Sequence, residues 1–368
     1  MGSGGYNISF MKKSILAILL CLLLSGTLAS AQKAKQNYVI GFYNLENLFD
    51  IYDDPAKNDE QFLPEGSNKW TEAKYKHKQK NMAHVIAEMA KANGRWHTIL
   101  GISEIENRLV IEDLLDQEEL RPANYQIVHY DGPDRRGVDV ALLYDPKNFK
   151  LLESRSIPFT FYDDGALEYT LDQAQKDYFR TRDILMVRGT IDGEMFAFFV
   201  THLPSRVGGK GADLRSGGAR IIYQHARALM RMHKGIKIVV MGDMNDDPTD
   251  DSMSKWLHGK EHMDEMAPLD FFNPYTSMLK AGFGSLCYQG TWCIYDQELV
   301  NYDLAHAPEG TLKLQPIGKN GYYGYIFKRP FMTTQKGQYK GYPFRTFSGG
   351  AFIGGYSDHY PTFIVIGK

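Results

Sequence analysis

From residue 36 to residue 368 strand-like and helix-like stretches alternate, with no repeat, low-complexity tract or Pro/Ser-rich linker between them. A chain patterned this way must close around a shared core, and a single domain over residues 32–368 is the simplest organisation. Asn37 to Tyr43 has the composition of a first strand. After a polar, acidic loop, Thr71 is placed to cap a helix in which Met82, Val85, Ile86 and Met89 recur at i, i+3, i+4 and i+7, and Gly94 ends it. Thr98 to Ile102 and Val138 to Tyr144 look like buried strands, and Asp183–Ile191 and Glu194–Thr201 like a hairpin turning at Asp192-Gly193. A second helix carries Ile222, Ala226, Leu229 and Met230 on one face; the strands Lys237–Met241 and Pro361–Ile366 follow. Hairpins alternating with amphipathic helices predict two mixed sheets packed face to face with helices outside.

The 368 residues are 43% hydrophobic and 13% aromatic, enough for a large core. Near the start, Met11-Lys12-Lys13 precedes an apolar run from Ile15 to Leu24, and Ala29-Ser30-Ala31 follows. That order of charge, apolar run and small residues is a secretory signal, with cleavage expected before Gln32 and Met1 to Phe10 as an upstream extension. The run is shorter than the roughly 20 residues needed to span a bilayer, so export to the periplasm or the extracellular space is expected and a membrane span is not. Removing residues 1–31 takes away Lys12 and Lys13 and no acids, which leaves 40 minus 44, a charge of −4. No basic field advertises tight, salt-dependent nucleic-acid binding, although a metal site can neutralise phosphate locally. Cys287 and Cys293 remain in a compartment that permits disulfides, and the sequence leaves open whether they pair. No Cys/His cluster suggests structural zinc, and nothing indicates a protein partner.

Five polar clusters lie at strand ends, where a fold presents rigid side chains to a common mouth. Asn44-Leu45-Glu46-Asn47 follows the first strand. Ser103-Glu104-Ile105-Glu106-Asn107 follows the strand ending at Ile102, and Glu104 ranks ahead of Glu106 as a candidate because it lies closer to the buried strand. His202-Leu203-Pro204-Ser205-Arg206 ends an aromatic strand, and Arg206 has the planar fork that suits phosphate. In Gly242-Asp243-Met244-Asn245 strand alternation would put Asp243 and Asn245 on one side. Ser357-Asp358-His359 precedes the last strand, with Trp292 to Gln297 upstream, so that an acid can orient His359.

This ordered series resembles the endonuclease/exonuclease/phosphatase superfamily over nearly the whole mature chain. Asp134-Arg135-Arg136-Gly137-Val138-Asp139-Val140-Ala141 resembles a secreted bacterial branch of it, as does His202 to Arg206 followed by Gly208-Gly209. The resemblance implies an α+β fold, a deoxyribonuclease I-like two-sheet α/β sandwich with outer helices. It also implies a functional set of Asn44, Glu104, His202, Asp243, Asn245, Asp296, Asp358 and His359. Tyr295 departs from the Leu or Ile commoner before the Asp at position 296.

On that reading Glu104, supported by Asn44 and Asp358, holds a divalent ion, Mg²⁺ by default with Mn²⁺ or Ca²⁺ as alternatives. His359, oriented by Asp296, and Asp243 act beside the attacking water, and the sequence does not say which takes its proton. Asn245 and His202 donate to the non-bridging oxygens, and Arg206 grips a substrate phosphate. The activity expected is a metal-dependent phosphoester hydrolase, foremost a secreted nuclease acting on DNA or RNA. The alternative is a phosphatase or phosphodiesterase acting on sugar, inositol or lipid head-group phosphates. A non-catalytic binding module on the same fold is a third reading, against which Glu104 and His359 both stand in place.

Overall fold

The computed structural model describes Met1 and residues 37–368. The expected signal segment lies, beyond Met1, outside the described residues. The first sheet takes β1 (Asn37–Leu48), β2 (Ile99–Ile105), β3 (Gln126–His129) and β4 (Asp139–Tyr144) from the front of the chain. The second is begun by β5 (Phe149–Ile157), β6 (Ile184–Ile191), β7 (Glu194–His202), β8 (Lys237–Asp243), β9 (Gly259–Lys260) and β10 (Phe271–Phe272). After a small hairpin of β11 (Leu286–Tyr288) and β12 (Thr291–Cys293), β13 (Asp296–Asn301) completes it. The chain then returns to the first sheet through β14 (Lys313–Gln315), β15 (Gly324–Ile326) and, past a second small hairpin of β16 (Phe347–Ser348) and β17 (Ala351–Phe352), β18 (Thr362–Gly367). The orders are β14-β18-β1-β2-β4-β3, with β15 also on β18, and β5-β6-β7-β8-β13-β10-β9.

Each sheet has a parallel pair of long strands at its centre, β1 with β2 and β7 with β8, and the short β9 and β10 are parallel at the edge of the second. A parallel pair needs a crossover, and a helix supplies it in both cases: Glu72–Asn93 for the first, Ala212–Met232 for the second. The first helix starts after Thr71 and ends on Gly94, left-handed at φ 65°, as the sequence predicts. Period-two alternation sorts the strand residues. Ile40, Phe42, Phe196, Phe198, Val200, Val239, Met241, Val300, Ile364 and Ile366 meet between the sheets. Val39, Tyr43, Leu100 and Ile102 face outward onto Met82, Val85, Ile86 and Met89 of the first helix. Ala197, Phe199, Ile238 and Val240 do the same against Ala219, Ile222, Ala226 and Leu229 of the second. The architecture is the expected two-sheet sandwich with outer helices.

The Asp192-Gly193 turn has φ 48° and 79°, the left-handed pair that matches hairpin twist. β1 runs past its expected end to Leu48, β2 to Ile105 and β8 to Asp243, while β7 and β18 each run one residue over. In the β11–β12 hairpin Leu286 pairs with Cys293 and Cys287 with Trp292, so the two cysteines fall on opposite faces, and both are free thiols. Among the described residues no helix is long and apolar enough to cross a membrane.

Candidate active site

The C-terminal ends of β1, β2, β7 and β8 converge at one end of the sandwich, joined by the start of β13 and the turn before β18. On β1 the inward alternation of Ile40 and Phe42 continues to Asn44, which is fully buried. Its Oδ1 accepts the Glu46 N–H at 2.8 Å, which fixes the amide orientation. Its Nδ2 therefore faces the acids, donating to Glu104 Oε1 at 3.2 Å and to Asp243 Oδ2 at 3.0 Å. Asn44 thus aims its nitrogen into the site, where the sequence reading wanted its oxygen.

Alternation along β2 would send Glu104 outward with Leu100 and Ile102. The strand instead has a register irregularity between Ser103 and Ile105, and Glu104 sits left-handed at φ 57°. A bulge re-aims a side chain in this way, and here it turns Glu104 back to the mouth. Its Oε2 accepts the Asn47 N–H at 2.9 Å. Glu106 goes elsewhere, accepting the Asp50 N–H at 2.7 Å in a buried position, and burial pushes its carboxyl up to about 8. The irregularity separates the two acids that strand geometry alone leaves together.

On the second sheet His202 and Asp243 end the inward rows of β7 and β8. Gly242 is required between them, because a Cβ there would lie 2.1 Å from the Thr201 carbonyl oxygen. His202 Nε2 stands 3.7 Å from both Glu104 Oε1 and Asp243 Oδ2. Burial, together with Arg182, Arg136 and His359, holds it well below the usual histidine range, so the ring is neutral. Asp296 pairs in register with Asp243, and its Oδ2 lies 2.7 Å from His359 Nδ1. His359 Nε2 looks toward Asp243 Oδ2 at 3.8 Å and Asp358 Oδ1 at 3.9 Å. Burial opposes its charge, but Asp296, Asp243 and the hydrogen bond outweigh that and raise it well above the ordinary value. Asp243 is pushed up to about 7, first by burial and then by Asp296 and Glu104, against the pull of His359. Glu104, His202 and Asp243 offer ligand atoms within 4.8 Å of one another, as do Asp243, Asp296 and His359, so both groups could hold a metal ion.

The remaining candidates lie at the rim. β8 ends at Asp243, so alternation does not carry on to Asn245. Its N–H donates to Asp243 Oδ1 at 2.9 Å and its Nδ2 to the Leu203 carbonyl at 2.9 Å, leaving one amide hydrogen over. Asp358 is gripped by Arg345 Nη2 at 2.8 Å. Arg206 turns to Tyr295 Oη at 3.0 Å, Asp250 at 3.2 Å and Asp246 at 3.3 Å, none of them in the central cluster. The two aspartates hold the guanidinium away from the cluster, and Tyr295, the departure noted in the sequence, binds it there.

Sequence reasoning did not single out Arg345, Lys78 or Arg182. Arg345 bridges Asp358 to Glu46, with Nε 3.1 Å from Glu46 Oε1. Buried Arg182 donates to the carbonyls of His202 and Leu203 and pairs with Asp134 at 3.2 Å, which fixes the end of β7. The Asp134 segment, noticed only for its resemblance, was the available signal for that brace.

A sequence profile of the Endonuclease/Exonuclease/phosphatase family matches residues 39–368. No curated protein sequence matches the chain. Among solved structures it is similar to an endonuclease/exonuclease/phosphatase family protein from Bacteroides thetaiotaomicron, at 15% identity and TM-score 0.52, covering 90% of this chain and 98% of that one. A structure of D. rerio TDP2 complexed with single strand DNA product gives 12% identity and TM-score 0.52, over 90% of this chain and 100% of that one. An endonuclease/exonuclease/phosphatase from Bacteroides vulgatus gives 14% and 0.50, over 90% and 99%. At such identities the likeness speaks for the fold, while the profile extends over almost every described residue. By that match the chain belongs to the endonuclease/exonuclease/phosphatase family, hydrolases of phosphoester bonds.

Proposed function

We propose that the protein is a secreted, divalent-metal-dependent nuclease that cleaves phosphodiester bonds of DNA or RNA. The observation that carries this reading is His359, held on Asp296 through Nδ1 with Nε2 turned to Asp243, opposite Asn44, Glu104 and His202. The D. rerio TDP2 structure holds single-strand DNA, which supports a nucleic-acid substrate for a chain of the same fold.

The donor set fits a hard cation. Glu104 and Asp243 bring two carboxylates to a largely dry place with His202 neutral beside them, and like charges so placed are relieved by a divalent ion. Glu104 is its chief ligand, Asn44 aligns both carboxylates with its amide, and Asp358 contributes from the edge. Bound there, Mg²⁺ supplies neutralisation of the phosphate charge. Asp243, pushed up to about 7 by burial before the ion binds and lower once it does, takes the proton of the attacking water. Protonated His359 donates from Nε2 to a phosphate oxygen, and Asn245 and His202 serve the other non-bridging oxygens. Arg206 reaches substrate only by leaving Asp246 and Asp250.

The test is incubation of the protein with supercoiled plasmid and, separately, with bis-p-nitrophenyl phosphate, each with Mg²⁺ and with chelator, beside a His359→Ala control. Mg²⁺-dependent nicking that the control lacks supports the nuclease. Cleavage of the small diester alone moves the substrate to a smaller phosphoester, and activity retained in chelator by metal-free protein removes the metal.

A further inference from the structure

A cleft of about 530 Å³ opens beside the reaction centre, between the β11–β12 hairpin and the chain from Thr334 to Ile353. That is room for one nucleotide-sized group. Tyr288, Tyr339, Tyr342 and Phe344 line it, and Arg345 stands in its wall. Tyr288 is 61% exposed and Tyr339 49%, so two broad ring surfaces face water with little packed on them.

The rings continue inward. Tyr339 lies 5.8 Å from Tyr342, Tyr342 meets Trp292 edge-on at 5.9 Å, and Trp292 stacks on Tyr360 at 6.2 Å. Tyr360 adjoins His359 in the chain. Arg345 reaches the same place from the charged side. Glu46 takes its Nε and Asp358 its Nη2, which fixes the guanidinium plane, and Nη1 takes part in neither bond. Asp358 in turn is 3.9 Å from His359. The cleft therefore joins a row of aromatic faces to one oriented, half-exposed guanidinium at the threshold of the hydrolytic cluster.

We propose that this cleft is the subsite for one unpaired base of a single-stranded nucleic acid, stacked on Tyr288 and Tyr339, with Arg345 meeting that nucleotide's phosphate. The inference rests on the nuclease reading. A guanidinium held by two carboxylates keeps its open edge for a phosphate oxygen. Ring stacking accepts any base and needs a face that a duplex keeps covered, which selects single strands without selecting sequence.

The experiment compares a thymidine oligonucleotide with a strand of the same length whose residues are abasic, both with Mg²⁺. The unaltered protein should favour the base-bearing strand in kcat/KM, and in a Tyr288→Ala/Tyr339→Ala variant that ratio should fall about tenfold, while Tyr339→Phe keeps it. Equal rates on the two strands, or a ratio unmoved by the double variant, overturn the subsite and leave the nuclease standing. Cleavage of bis-p-nitrophenyl phosphate with neither strand cut overturns the nuclease reading and the subsite with it. Independently of any variant at the cleft, a strand carrying 2-aminopurine should lose fluorescence on binding His359→Ala protein. A bound strand that stays bright contradicts the stacking.

Discussion

Lys78 and Glu46 face each other at 3.6 Å, the lysine wholly out of water. The ammonium also donates to Thr346 Oγ1 and to the Tyr356 carbonyl, each at 2.6 Å, and Glu46 accepts the Thr346 N–H at 2.7 Å. The pair ties the first crossover helix and the end of β1 to the segment that carries Arg345. Burial pulls the lysine down from its ordinary value and pushes the glutamate up, each opposed by the other's charge. Lys78→Met should cost about 3 kcal/mol, because it leaves a buried carboxylate without the one of its two cations that is wholly buried. A urea midpoint that does not move would contradict this.

Asp296→Asn keeps the size of the group beside His359 Nδ1 and removes the charge that holds the ring protonated. A fall in kcat of about 10²-fold or more is expected, with His359→Ala abolishing hydrolysis and both variants keeping the native circular dichroism. Full turnover in a folded His359→Ala protein would refute the role given to it.

The pH profile follows from Asp243. A base pushed up to about 7 is protonated below that and competent above it, so kcat/KM should rise with pH along a limb no higher than about 7. A cation beside the carboxylate favours its charged form, and raising Mg²⁺ should move the limb to lower pH. A profile flat from about pH 5 to 8 would reassign the base.

His97 gives a separate dependence, in stability. Its ring is fully buried against Gly41, where a Cβ would lie 3.0 Å from it, and burial lowers it from 6.5 to about 4. The unfolded chain binds the proton first, so the neutral ring's contribution is intact above about 6.5 and is lost as pH falls toward 4. A gap of about 2.5 at about 1.36 kcal/mol per unit amounts to about 3 kcal/mol. Denaturant melts across that window should be steeper in pH for the unaltered protein than for His97→Gln; matching slopes would place the loss elsewhere.

Glu104→Gln removes a charged ligand and keeps the shape. The Mg²⁺ concentration for half activity should rise about tenfold or more, read from a metal titration of turnover. An unchanged requirement would move the ion away from Glu104.

The sandwich was legible because its signals are periodic and local: two for the strands, 3.6 for the helix from Glu72, and an Asp-Gly turn. The strand-end residues were legible for the same reason, since Asn44, His202 and Asp243 extend the inward rows. Glu104 could be ranked but not aimed, because strand geometry carries no sign of an irregularity that turns one residue left-handed. Arg206 misled, since proximity in sequence to His202 said nothing of Asp246 and Asp250, which capture it. Arg345 was out of reach: its partner Glu46 lies 299 positions away, and only the closed sandwich brings them together.

One bond spans almost the entire described chain. Ser357 Oγ donates to the Asn44 carbonyl at 2.8 Å across 313 positions, and accepts the His359 N–H at 3.1 Å. The end of β1 that carries Asn44 is thereby seated by the turn that carries His359, and contacts of such separation form slowly. During refolding the secondary structure should return before hydrolysis does, so that the molecule stays inert until its final strand docks.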